Sequence, residues 1–367
     1  MTYSLRNTSA TRRQVVQSTA LGVTAAAGGG ILSRAAAATI EPGGTPQASP
    51  AASPAVAPGA GGSLVVYCGR NEKLIGGLIP EIEQATGVTL DVRYGNTAEL
   101  AAQILEEGDH TPAGLYFGQD AGSLGALAKE GRLAPLPQAT LDLVDARFRS
   151  PQGLWVGVSG RARVLIYNPE VTDPATLPAA IAELPKTKVG SLAWAPTNAS
   201  FQSFVTAMRV LDGEDTTRAW LEAMIEAGTQ TYEGNVQIRD AVAAKEVNVG
   251  LVNHYYLYEA LKENPAFSAA NYYFPNGDLG SLINVAGVGA IAGSGQEDAA
   301  HAVTAFLLGT QAQTYFADTT AEYPLAAGVP ALSELPPLDS FQTPNLDLSD
   351  LDDLAGTVTL LTDVGLI

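Results

Sequence analysis

The chain has 367 residues, with 20 Lys and Arg against 38 Asp and Glu, a formal net charge of −18, one cysteine and three histidines. That acidity excludes nucleic acid and anionic membrane surfaces as partners. The single Cys68 rules out an internal disulfide and a multi-cysteine metal site, and three histidines make a His-rich zinc or copper site a poor fit.

Residues 1–40 read as an export signal of the twin-arginine kind: Arg12 and Arg13, then an Ala- and Gly-rich apolar run broken too often to span a bilayer, then small residues suited to signal peptidase. Val15 and Val16 stand where a bulkier pair is usual. Residues 41–62 are rich in Pro, Ala, Gly and Ser and form a flexible linker. No cysteine follows the apolar run, so a lipid anchor on an N-terminal cysteine is excluded. From Ser63 onward 16 basic residues face 37 acidic ones, a net charge of −21, which suits an exported protein, periplasmic or on the cell surface, that handles a cation or small solute.

The segment SLVVY (63–67) predicts a buried strand, and an amphipathic helix follows over 72–86. VTLDVRY (88–94) alternates as a second strand, a helix runs over AELAAQILEEG to Gly108, and 113–117 gives a third strand before a helix over 124–130. This alternation predicts an α/β lobe with a mainly parallel sheet, whose ligands lie beyond the carboxyl ends of the strands. Arg70, Asn71, Thr97, Gln119 and Asp120 fall there. LWVGVSGRARVLIYN is a long alternating strand region that crosses to a second α/β unit. The expected organisation is a first lobe over 63–158 completed by 281–330, and a second over 159–280 with 331–367 packing on it. A chain that crosses between lobes more than once builds a hinged clamshell. GVGAIAG lies in a strand and has no nucleotide meaning.

GLVNHYYLYEAL (250–261) is the most informative stretch. A strand runs into Asn253 and His254, and Tyr255 and Tyr256 stand where a helix starts, so two neighbouring phenols can converge on one point. Read alone, the pair is a core and a rim aromatic. Together with VVYCGRNEKLIGGLIPEIEQATG, AELAAQILEEG, SGRARVLIYN, NVQIRDAV and AEYPL, this stretch resembles the ferric-ion-binding proteins of bacterial ABC iron importers, in order and over nearly the whole chain after the linker. The resemblance implies a two-lobed Venus-flytrap fold of the type II periplasmic binding kind. It also implies no enzymatic activity, a monomer, and delivery of Fe3+ to a cognate ABC permease and its ATPase.

By the same resemblance Tyr255 and Tyr256 match the tyrosine ligands, and Tyr167 matches the third tyrosine of members that lack a histidine ligand. Asn71 and Gln119 stand where many members carry histidine and glutamate ligands. This favours a three-tyrosine site with a synergistic anion: carbonate, bicarbonate or phosphate. Arg70 is placed to hold that anion, with Asn198, Ala199, Ser200, Asn235 and Asn253 as further contacts and Arg161 as a second guanidinium.

The chemistry fits. Fe3+ is a hard cation that prefers oxygen donors, and the metal must expel the phenol proton, so binding weakens as pH falls. An anion beside phenolates calls for arginine, whose planar fork matches a planar oxyanion.

Each residue also has a plainer reading. Tyr167 can be a strand aromatic, Arg70 a salt-bridge partner, Asn71 a helix cap, Gln119 a loop bystander, His254 structural, Tyr258 core, and Glu322 with Tyr323 lobe packing. A receptor for a sugar or polyamine would want tryptophan platforms or clustered carboxylates, and neither explains the tyrosines. A secreted hydrolase lacks GxSxG, HExxH and a nucleophile near a credible histidine.

Overall fold

A computed structural model describes residues 61–341 and 346–367. The export signal and all of the linker except Gly61 and Gly62 lie outside the described residues. Among the described residues ten strands form, in chain order: β1 Gly62–Cys68, β2 Val88–Tyr94, β3 Leu115–Gly118, β4 Val156–Tyr167, β5 Leu192–Trp194, β6 Gln230–Thr231, β7 Val249–Asn253, β8 Ala270–Tyr272, β9 Ile283–Ala290 and β10 Tyr323–Pro324. Their spatial order is β2-β1-β3-β9-β4-β7-β5-β6, with β8 and β10 pairing β4 as well.

The two ends of this sheet are parallel, as βαβ units require, because a helix carries the chain back between neighbouring strands. Thus β1 pairs parallel with β2 and β3, and β5 pairs parallel with β6 and β7. The middle is antiparallel: β9 lies between β3 and β4, and β4 pairs with β7.

All twelve residues of β4 are buried, so both of its faces are covered and its polar residues, Ser159, Arg161 and Arg163, must find partners inside the protein. Its first half, up to Ala162, pairs with β9, and from Arg163 its partner is β7. The two halves of the α/β fold therefore share one strand. The boundary expected at 158/159 falls inside that strand, and the change of partner falls at Ala162/Arg163.

Helices cover the sheet where the apolar periodicity places them. Thr97–Glu107 starts at Asn96, whose side chain accepts from Ala98 and Glu99 N–H. Ala121–Lys129 is capped by Asp120, and Ala199–Asp212 by Asn198. Trp194, Phe201, Phe204 and Trp220 interlock edge to face or tilted, with centroids 5.7–6.3 Å apart, and Trp155 is fully buried. The tryptophans are core, as expected. No described helix is long and apolar enough to cross a membrane.

The C-terminal segment departs from expectation. It does not pack on the second half alone: its short turn Leu348–Asp352 lies on the helix Ala121–Lys129 of the first half, and its last helix, Leu354–Asp363, lies on Ala199–Asp212 of the second.

Candidate functional site

Strand β7 ends at Asn253, His254 turns the chain, and Tyr255 opens the helix Tyr255–Glu263. The two tyrosine rings stack with centroids 4.4 Å apart at 30°. Tyr255 is buried and Tyr256 half-buried. Burial pushes the Tyr255 phenol well above its usual range, the neighbouring Tyr256 adds to this, and the Arg161 guanidinium opposes it.

His254 fixes this turn. Its Nδ1 accepts from the N–H of Ala162 at 3.0 Å, and its Nε2 lies 2.8 Å from the carbonyl of Ala321, which it reaches as a donor. Burial draws its pKa down to about 4, so the imidazole is neutral and structural. The unfolded histidine titrates near 6.5, so the unfolded state binds the extra proton between pH 6.5 and 4. The stability that His254 contributes is present above 6.5 and lost as pH falls towards 4, a decline on the order of 3 kcal/mol. Urea denaturation across this range should show that decline, with a flatter profile in His254→Gln.

Strand β4 brings two arginines beside the tyrosines. Alternation puts Arg161 and Arg163 on one face, and Arg163 lies opposite Asn253 in the ladder. Arg163 was not singled out from sequence. The signal was there in SGRARV: two charges spaced by two within an apolar run, the spacing of one buried strand face.

Arg163 donates from Nη2 to Leu251 O at 3.2 Å and from Nη1 towards Ser200 Oγ at 3.4 Å, and its guanidinium lies 5.5 Å from the ring centres of both Phe201 and Phe204. Burial pulls its pKa down to about 10, while Tyr256 and Tyr255 pull it back up. Arg161 donates to the carbonyl of Gln119. A small cavity here is lined by Arg161, Arg163, Ser200, Phe204, Asn253 and Asn284.

Behind the tyrosines a third guanidinium is bound to a carboxylate. Arg70 Nη2 donates to Glu322 Oε2 at 2.7 Å, and the same carboxylate accepts from Ser159 Oγ at 3.0 Å and Thr320 Oγ1 at 3.1 Å, with Arg161 Nε 3.9 Å from its other oxygen. Desolvation works against the Glu322 charge, but Arg70 and Arg161 outweigh it and hold the carboxyl below its ordinary range. Glu322 is thus more than the lobe packing expected of it. A second acid, Asp120, caps its helix by accepting from Ser123 N–H at 3.1 Å, and burial raises its pKa. Three buried guanidiniums against Glu322 and Asp120 leave the locus positive. Arg70 Nε and Nη1, Arg161 Nε and Nη1 and Arg163 Nε have no hydrogen-bond partner. Buried donors of this kind call for an acceptor.

The other expected residues divide. Asn198 Oδ1 accepts from the N–H and Oγ of Ser200 at 3.0 and 2.6 Å, so Asn198, Ala199 and Ser200 form the start of a helix facing Arg163. Asn235 is buried with both amide atoms unpartnered. Asn71 is exposed and accepts from Lys73 N–H at 2.9 Å, a plain helix cap. Gln119 offers its backbone: its N–H donates to Thr97 Oγ1 at 3.3 Å and its carbonyl takes Arg161.

Tyr167 is not brought to the pair. It lies opposite Val249 in the β4–β7 ladder, whereas Arg163 lies opposite Asn253. Four residues of strand separate these levels by about 13 Å. Tyr167 is buried at the far end of β4, and after burial the influence on its phenol is Asp173, which raises its pKa. The register of this antiparallel pair thus places Tyr167 at the Val249 end of the ladder, away from the level of Arg163 and Asn253 where three converging phenols were expected.

No group of three or more His, Cys, Asp and Glu able to hold a metal occurs among the described residues. What the fold and the site define is a receptor: an α/β protein in two halves with a basic, tyrosine-walled locus where the halves meet. The chain belongs to the bacterial extracellular solute-binding proteins, whose family profile matches residues 112–350; this is a family of transport receptors, not of enzymes. It is similar to the "Fe(3+)-binding periplasmic protein" of Serratia marcescens, 31% identical over 308 residues, which cover 83% of this chain and 90% of the relative. Iron-bound HitA of Pseudomonas aeruginosa superposes with a TM-score of 0.77 at 32% identity, covering 83% of this chain and 99% of HitA. A Trichodesmium IdiA/FutA protein in complex with iron and citrate gives 0.72 at 27% identity, covering 83% and 100%.

Proposed function

We propose that this protein is an extracytoplasmic ferric-ion receptor that takes Fe3+ on the phenolates of Tyr255 and Tyr256, holds it with an oxyanion, and hands it to an ABC permease and its ATPase outside the cytoplasmic membrane. The observation that carries this reading is the stacked tyrosine pair set against Arg161 and Arg163. Two phenolates supply hard oxygen donors. Guanidiniums that keep unpartnered N–H groups, Nε and Nη1 of Arg161 and Nε of Arg163, favour phenolate over phenol and can donate to the oxygens of carbonate, bicarbonate or phosphate in a planar fork. The start of the helix at Asn198–Ser200 and the unpartnered amide of Asn235 add neutral donors for the same anion.

With Tyr167 outside the ligand set, the anion and solvent supply the remaining oxygens around the metal. Relatives named as iron-binding or iron-uptake proteins support the cargo assignment. The test is to add Fe3+ with bicarbonate, phosphate or citrate to the metal-free protein and follow the visible phenolate-to-iron band and the metal kept after gel filtration. One iron per chain with a band is expected. No band and no retained metal with all three anions overturns the reading.

A further inference from the structure

We infer that residues 347–363 are a strap that ties the two walls of the site together from behind and sets how far the cleft opens. The inference builds on the proposed reading of the cleft as a site of capture and release.

Two helices frame the locus. Ala121–Lys129 follows Gln119, which takes Arg161, and Ala199–Asp212 follows Asn198 and carries Ser200 against Arg163. At the front both reach Asn284 of β9: its Oδ1 accepts from Ala121 N–H at 3.3 Å and its Nδ2 donates to Ser203 Oγ at 2.7 Å. At the rear the strap holds them.

The carbonyls of Ser349 and Leu351 lie so close over Gly125 and Gly122 that a Cβ at either glycine would overlap them. Lys129 Nζ pairs with Asp352 Oδ2 at 2.7 Å. A few residues on, the strap grips the other helix. The buried hydroxyls of Thr206 and Thr357 lie 2.7 Å apart, and Arg209 donates to Asp353 O, Asp353 Oδ2 and Thr357 Oγ1 at 2.9, 2.8 and 3.0 Å. Leu348, Leu351, Leu360 and Leu361 of the strap are buried.

Moving one wall away from the other must therefore peel the strap from a helix, exposing buried leucines and hydroxyls. The residues that do this touch neither the tyrosines nor the guanidiniums.

Two variants test the inference. Gly125→Val pushes a side chain into Ser349, and Arg209→Gln cuts the surface links to Asp353 and Thr357. Spin labels on Glu106→Cys and Glu222→Cys, both exposed and one in each half, report the separation in metal-free protein; Cys68 is buried, with its thiol pushed up to about 11, and stays unlabelled. Both variants should lengthen and broaden the distance distribution. They should also release Fe3+ to a competing chelator at least ten-fold faster, with the visible band unchanged.

Wild-type distances and release rates in both variants overturn the strap. Should Gly125→Val fail to fold by circular dichroism, Arg209→Gln decides alone. Should the wild type retain no iron, the cargo reading fails, and the distances in metal-free protein still decide the strap.

Discussion

Replacing Tyr255 or Tyr256 by Phe is expected to abolish or strongly shift the visible iron band and to weaken iron retention by about 100-fold or more, since changing even the residues that merely support a metal's ligands costs about 10–100-fold. Tyr167→Phe should leave both unchanged, because its ring is at the Val249 end of the ladder, about four residues of strand beyond Arg163. The trio separates two readings that the sequence alone merges. A Tyr167 variant that bleaches the band would restore a third phenolate and require the β4–β7 register to be wrong. A Tyr255 or Tyr256 variant indistinguishable from wild type would remove that residue from the ligand set.

The second large effect concerns Glu322. In Glu322→Ala the guanidiniums of Arg70 and Arg161 stay buried without their shared carboxylate, and stripping one partner from a buried ion pair costs about 3–5 kcal/mol. Denaturant unfolding should register that loss. Glu322→Gln keeps an oxygen for Arg70, Ser159 and Thr320 and should lose less. Glu322→Leu combined with Arg70→Met should recover the part of the deficit that Arg70 causes, because a well-packed apolar pair removes that stranded charge while Arg161 stays without its acid. A Glu322→Ala protein as stable as wild type would show that water reaches and solvates both arginines.

Much of the fold was legible from local pattern. VTLDVRY alternates, and β2 occupies those residues; AELAAQILEEG carries its own cap and helical period, and the helix Thr97–Glu107 matches it. The tyrosine pair was legible as well, since a strand running into a helix is written in VNHYYLYEAL. What was not legible depends on register and long-range pairing. Tyr167 sits in a strand of the right kind, on the same face as Arg163, and only the antiparallel alignment with β7 shows that it is too far along. Glu322 lies 252 positions from Arg70, and nothing local in AEYPL announces a charge partner. The C-terminal segment reads as acidic and Pro-rich, a composition that gives no hint of two glycines waiting on another helix.

The shared strand β4 has a mechanical consequence. A hinge made of loose coil would let the halves wander freely, but here the shared element is a ribbon with strands on both edges, β9 and β10 at Ser159 and Gly160 and β7 and β8 from Leu165 to Tyr167, and no residue of its length is exposed. Turning one half against the other would have to twist this hydrogen-bonded ribbon rather than swing on a loose loop. Its amide protons should accordingly exchange among the slowest in the molecule, whether the jaws are apart or shut.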